Sequence, residues 1–135
     1  MTSTETLMRL TLLAAALVIA LPGVALAQSA DGPPAVAGTD GGPALVDGRG
    51  MTLYTFARDP DGQTACVAGC AVNWPPLVAP DEARPEGGFG VIVRPDGARQ
   101  WTYHARPLYR WSRDVKPGDA TGDGVLEGAW RIARP

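Results

Sequence analysis

"LYTFARD", residues 53–59, and "LYRWSRD", residues 108–114, spell Leu-Tyr-x-aromatic-x-Arg-Asp twice in one short chain. On an extended strand, residues two apart face the same side. Tyr54 and Phe56 therefore share a face, as do Tyr109 and Trp111. Two rings on one face bury a large apolar area, and the tyrosine hydroxyl reaches a polar partner at its edge. Asp59 and Asp114 fall just past each strand, where a short carboxylate accepts backbone N–H bonds and fixes a turn. Pro60-Asp61-Gly62 and Lys116-Pro117-Gly118 continue that turn chemistry. Self-similarity of this kind marks one supersecondary unit used twice. The competing reading makes Tyr54, Phe56, Asp59, Tyr109, Trp111 and Asp114 a binding site. It requires the two copies to converge around a groove.

The flanks extend the pattern. "ALVDGRGMTLYTF" predicts a hairpin: Ala44–Val46, a turn over Asp47–Gly50, and a strand from Met51 to Phe56. Thr64 is placed to cap a short helical turn over 65–72, stopped by Pro75-Pro76. "FGVIVRPDGARQWTY" predicts a second hairpin turning at Pro95-Asp96-Gly97, and a tight corner at His104–Arg106 leads into 107–111. "AWRIARP" supplies a final edge strand. Short strands, frequent turns and no sustained helical period define the class: a small, mainly β, antiparallel domain built from two related hairpin units, with one short helix near the cysteine pair.

The N-terminal end reads as an export signal. Arg9 precedes an apolar run, Leu10–Ala27, broken by Pro22-Gly23 and closed by the small residues Ala25 and Ala27. This is the layout of a secretory signal peptide, residues 1–27, cleaved after Ala27. A retained membrane span is the alternative. Small, polar and breaker residues then make 28–42 a flexible leader, and 43–135 the folded domain. The expected location is periplasmic or secreted, without a stable membrane anchor after cleavage. Net charge is −2 and Lys116 is the sole lysine, so the basic footprint of nucleic-acid binding is missing. A core this small gains from a covalent staple.

Cys66 and Cys70 are the two cysteines, spaced C-x3-C. In an oxidising compartment such a pair forms a disulfide. Neither the spacing nor the context is that of a thioredoxin-like site. The alternative is a Cu(I) site using Cys66 and Cys70, with His104 or Met51 as third ligand. "DATGDGVLE", 119–127, resembles a calcium loop. It places threonine at the third ligand position and Trp130 at the twelfth, so the EF-hand reading fails. Beyond the signal, Ser29 and Ser112 are the only serines, and neither sits in a nucleophile elbow. Trp74, Trp101, Trp111 and Trp130 are core anchors by this reading.

Both heptapeptides match Tyr-x-(Phe/Trp/Tyr)-x-x-Asp, and the chain resembles a family of bacterial secreted and lipoprotein repeats of unknown function. The resemblance extends to "CVAGCAVNWPPL" after the first copy, to "DGARQWTYHARPLY" before the second and to "PGDATGDGVLEGAW" after it. Members often carry a lipid-modified cysteine at the mature N-terminus, which this chain lacks, and a histidine where Arg131 follows Trp130. The resemblance implies a two-unit fold and an extracytoplasmic location but no reaction. The resulting expectation is a protein that is not an enzyme, needs no cofactor, and serves envelope-associated binding or structural support through an unknown envelope component. Copper handling is the alternative.

Overall fold

The computed structural model describes residues 31–135; the expected signal peptide lies outside the described residues. Described elements run β1 (Ala35–Thr39), β2 (Gly42–Val46), β3 (Tyr54–Phe56), α1 (Gly69–Asn73), β4 (Phe89–Val93), β5 (Arg99–Tyr103), β6 (Arg106–Pro107) and β7 (Trp130–Ile132). β1 and β2 form a hairpin, β4, β5 and β6 form a three-stranded meander, and β3 pairs antiparallel with β7. The chain is thus mainly β, with one short helix beside the cysteine pair. Among the described residues, no helix is long and apolar enough to cross a membrane.

The two copies exchange their closing segments. In the first copy, Leu53 N–H donates to the Leu45 carbonyl at 2.9 Å; in the second, Leu108 N–H donates to Trp101 at 3.0 Å. The open side of the first pair is filled by Ala133, which donates to Leu53 and accepts from Leu45. The open side of the second is filled by Leu77, which donates to Leu108 and accepts from Trp101. Each copy therefore completes the other's backbone ladder. At the centre Tyr54 and Tyr109 exchange both backbone bonds, at 2.8 and 3.0 Å. An antiparallel bridge between equivalent residues places a local two-fold between the copies.

Strand alternation then sorts the side chains. Tyr54, Phe56, Tyr109 and Trp111 enter one core cluster with Trp74, Trp130 and Ile132. Leu53 and Leu108, one residue off, enter the other with Leu45, Leu77, Trp101 and Ala133. Leu53, Leu77 and Leu108 are fully buried, so truncating any of them to alanine costs ~2–5 kcal/mol.

Three sequence expectations change. The leader does not extend to residue 42, because Ala35–Thr39 is β1, paired from Ala35↔Val46 to Thr39↔Gly42. Its Ala and Gly residues look like linker, yet Asp40-Gly41 supplies a hairpin turn. The turn at Asp47 stands, held by Asp47 N–H to Met51 and by the Val46↔Thr52 bridge. The strand after it, however, leaves β2 at Leu53 to join β7 and Tyr109. The helix covers Gly69–Asn73 in place of 65–72, and Thr64 does not cap it. The backbone ahead of it is engaged elsewhere. Ala65 N–H donates to Asp59 and the Cys66 carbonyl accepts from the buried Arg94. The second hairpin forms as expected, over Phe89–Val93 and Arg99–Tyr103, and His104 and Ala105 turn the corner with φ of 46° and 65°.

Candidate functional site

The motif tyrosines and aspartates do converge, and they do so crosswise. Tyr54 Oη donates to Asp114 Oδ2 at 2.6 Å, and Tyr109 Oη donates to Asp59 Oδ2 at 2.6 Å. Each aspartate also performs the local task expected of it through its other oxygen. Asp59 Oδ1 accepts from Ala65 N–H at 2.6 Å; Asp114 Oδ1 accepts from the N–H and the hydroxyl of Thr121, at 2.9 and 2.7 Å. Both tyrosines are fully buried and both aspartates nearly so. The space between the copies at these residues is filled with side chains.

Burial, and then the hydrogen bond to the partner carboxylate, pushes the phenols of Tyr54 and Tyr109 far above their usual range. Burial also raises the Asp59 carboxyl, against the opposing pull of the Tyr109 hydroxyl, the Ala65 N–H and the Arg94 and Arg106 cations. The tyrosines thus stay protonated and act as donors. Around them stand residues that the motif did not reveal. Arg94, almost wholly buried, bonds Gln100 Oε1 at 2.8 Å and the Cys66 carbonyl at 2.9 Å. Gln100 in turn donates to the Leu108 carbonyl. Arg110 pairs with Asp47 at 2.5 Å and with Asp31. Nothing in the sequence marks Arg94. Thr121 bonds Asp114 directly, whereas Thr64, five residues after Asp59, bonds the Tyr109 hydroxyl and leaves Asp59 Oδ1 to the Ala65 N–H.

The aromatic residues form a column. Phe56 stacks on Trp130 with centroids 4.3 Å apart, Trp130 on Trp74 at 3.8 Å, and Trp74 on Trp111 at 4.0 Å. The Arg113 guanidinium lies over Trp111 at 5.6 Å. Tyr54 meets Trp74 edge-on at 5.4 Å, and Tyr109 meets Trp130 edge-on at 5.1 Å. Such contacts add ~0.5–1.5 kcal/mol each beyond area burial. Gly122 sits against this column: a Cβ there would lie 2.8 Å from Trp74 and 3.0 Å from both Trp111 and Tyr54. Its N–H donates to Tyr54 Oη at 3.2 Å. Along the column's edge runs an open groove of about 510 Å³, lined by both copies through Phe56, Arg58, Trp74, Trp111, Leu126 and Trp130. Trp111 also borders a second cleft of about 440 Å³.

Cys66 and Cys70 are joined as a disulfide with Cα atoms 5.2 Å apart. The copper reading thereby loses both thiolates. His104, one of the two candidate third ligands beside Met51, packs its ring against Tyr103 at 4.1 Å. Among the described residues no group of three or more His, Cys, Asp or Glu is placed to hold a metal. The calcium-like loop has its carboxylates engaged: Asp119 accepts from Val115 N–H, Lys116 N–H and Lys116 Nζ, and Asp123 accepts from Ile132 N–H.

Two intertwined copies of one β unit define a tandem-repeat domain. The chain belongs to a family described as a secreted repeat of unknown function, whose model matches residues 35–78 and again 90–134. The boundaries agree with the observed halves: each match starts at or just inside a hairpin and ends with the strand given to the other copy. No curated protein and no solved structure matches the chain significantly.

Proposed function

We propose that this protein is a non-catalytic module of the cell envelope, periplasmic or secreted after cleavage behind Ala27, that serves binding or structural support. The observation that carries this reading is how the motif's polar groups are used. Both hydroxyls and both carboxylates are bound to one another across the two copies, and among the described residues no buried side-chain polar atom lacks a partner. Buried and bonded across the copies, these groups present no polar atom to a ligand at the surface, and the motif is committed to cohesion. The surface left for contact is the aromatic groove at the seam, with Arg58 and the exposed Leu126 on its walls.

A photo-crosslinker placed at Arg58 in the exported protein tests this. The expected outcome is capture of one envelope component, lost in Leu126→Asp at unchanged melting temperature. Full retention of that component in Leu126→Asp overturns the groove as the contact surface. If Asp59→Asn or Asp114→Asn abolishes capture while stability stays at the wild-type level, the motif is itself the binding site.

A further inference from the structure

The column and the two Tyr–Asp pairs share a property that goes beyond binding or support. Four π-systems lie in face contact at 4.3, 3.8 and 4.0 Å, from Phe56 to Trp111. On each of the two central tryptophans stands one tyrosine, Tyr54 on Trp74 and Tyr109 on Trp130. Each of these buried phenols is hydrogen-bonded at 2.6 Å to a carboxylate. A phenylalanine in place of either tyrosine keeps the ring contacts and loses only the phenol's bond to the carboxylate. Indoles and phenols are the most easily oxidised rings in a protein. A phenol gives up an electron readily only when its proton has an acceptor at hydrogen-bond distance, and a carboxylate is such an acceptor.

We infer that the seam is a one-electron relay, in which an oxidising equivalent taken up at the Trp111 edge is passed along the stacked indoles and stored on Tyr54 or Tyr109. The oxidant is a diffusible radical-class one-electron acceptor arriving at the clefts on which Trp111 borders. It removes one electron from Trp111 and is itself reduced, leaving an indole radical cation. Trp74 refills Trp111, and Tyr54 refills Trp74. As Tyr54 loses its electron, the phenolic proton crosses to Asp114 Oδ2. The end state is a neutral Tyr54 phenoxyl radical, a protonated Asp114 and restored tryptophans, with charge and protons balanced. The second branch runs through Trp130 to Tyr109, with Asp59 taking the proton. The seam would thus shield exposed groups of the protein or its partner from radical damage by holding the oxidising equivalent in its interior.

The chain has three tyrosines, and the third, Tyr103, lies outside the column, against Phe89 and His104. This permits a direct test. The full-length Tyr103→Phe protein is oxidised with photogenerated ruthenium(III) tris-bipyridine, and the radical is identified by electron paramagnetic resonance and transient absorption. A tyrosyl signal at the wild-type yield, formed several-fold more slowly in D2O, is the expected result. Radical confined to tryptophan, or no protein radical, overturns the proposal. In the Asp59→Asn/Asp114→Asn double variant an amide replaces each proton acceptor, so the tyrosyl yield falls at least tenfold and tryptophan radical accumulates. An undiminished tyrosyl yield in that variant, folded by near-ultraviolet circular dichroism, also overturns it. Should the double variant fail to fold, the Tyr103→Phe protein decides alone.

Discussion

Removing the two motif hydroxyls one at a time should separate the copies by their donor counts. Tyr54→Phe leaves the ring against Trp74 but strips Asp114 Oδ2 of its bond and leaves the Gly122 N–H without its acceptor. A hydrogen bond to a charged group contributes ~1.5–3 kcal/mol, and a buried donor left unsatisfied costs ~1–3 kcal/mol. The sum is ~2.5–6 kcal/mol. Tyr109→Phe strips Asp59 Oδ2, but Thr64 retains bonds to the Cys66 N–H and to Arg94. Its cost is ~1.5–3 kcal/mol. In a domain of this size each kcal/mol moves Tm by ~4–8 °C, so urea and thermal melts resolve the two variants easily. The pH dependence gives a second check. Asp59 has its carboxyl raised in the fold above the ordinary 3.8, and the Tyr109 hydroxyl is what holds it down most among the groups opposing burial. A raised carboxyl means that the ionised form costs stability, a cost present at neutral pH and relieved as pH falls through the folded value. Loss of Tyr109 Oη enlarges that cost, so the gap between Tyr109→Phe and wild type should narrow as pH drops toward 4. Equal melts for wild type and both variants would refute the idea that the crossed pairs hold the copies together. A larger loss in Tyr109→Phe than in Tyr54→Phe would refute the donor arithmetic.

The Gly122→Ala substitution forces a methyl against Trp74, Trp111 and Tyr54 and should cost ~1–3 kcal/mol by overpacking; Gly38→Ala, with open space around it, should stay within ~0.5 kcal/mol in the same denaturant titration. Replacing Cys66 and Cys70 together by alanine removes a five-residue loop constraint, worth ~2 kcal/mol on loop-closure entropy, read as a fall in the urea midpoint that reductant reproduces in the wild type. Asp119 is held down to about 2 by the Lys116 ammonium first, then by the Val115 and Lys116 N–H groups. The stability it contributes is present above 3.8 and lost as pH falls from there toward 2, so Asp119→Asn should flatten that part of the acid unfolding curve.

Much of the architecture was legible because it is local. Period-two spacing put Tyr54 with Phe56 and Tyr109 with Trp111, and the core sorts them that way. The Pro95-Asp96-Gly97 turn fixed the second hairpin, and the cysteine spacing in an oxidising compartment gave the disulfide. What was hidden is non-local. No spacing rule distinguishes an aspartate bonded to its own turn from one that also accepts a hydroxyl from the other copy, because Asp59 and Asp114 do both. The strand exchange is equally silent, since no local signal around Leu77 or Ala133 says that each is bonded into the other copy's ladder. β1 was missed for a different reason. Its Ala, Gly and Val residues carry little side-chain pattern, and it is held by backbone pairing with β2.

The exchange of closing strands has a consequence for the order of events in a secreted chain threaded through a membrane N-terminus first. The first copy to emerge cannot complete its ladder with its own residues, because the place beside Leu45 and Leu53 belongs to Ala133. Its tyrosine likewise waits for Asp114. Until the trailing half arrives, the leading half lacks the Ala133 and Asp114 contacts. Closure of the seam requires both halves on the same side, because its bonds run between them.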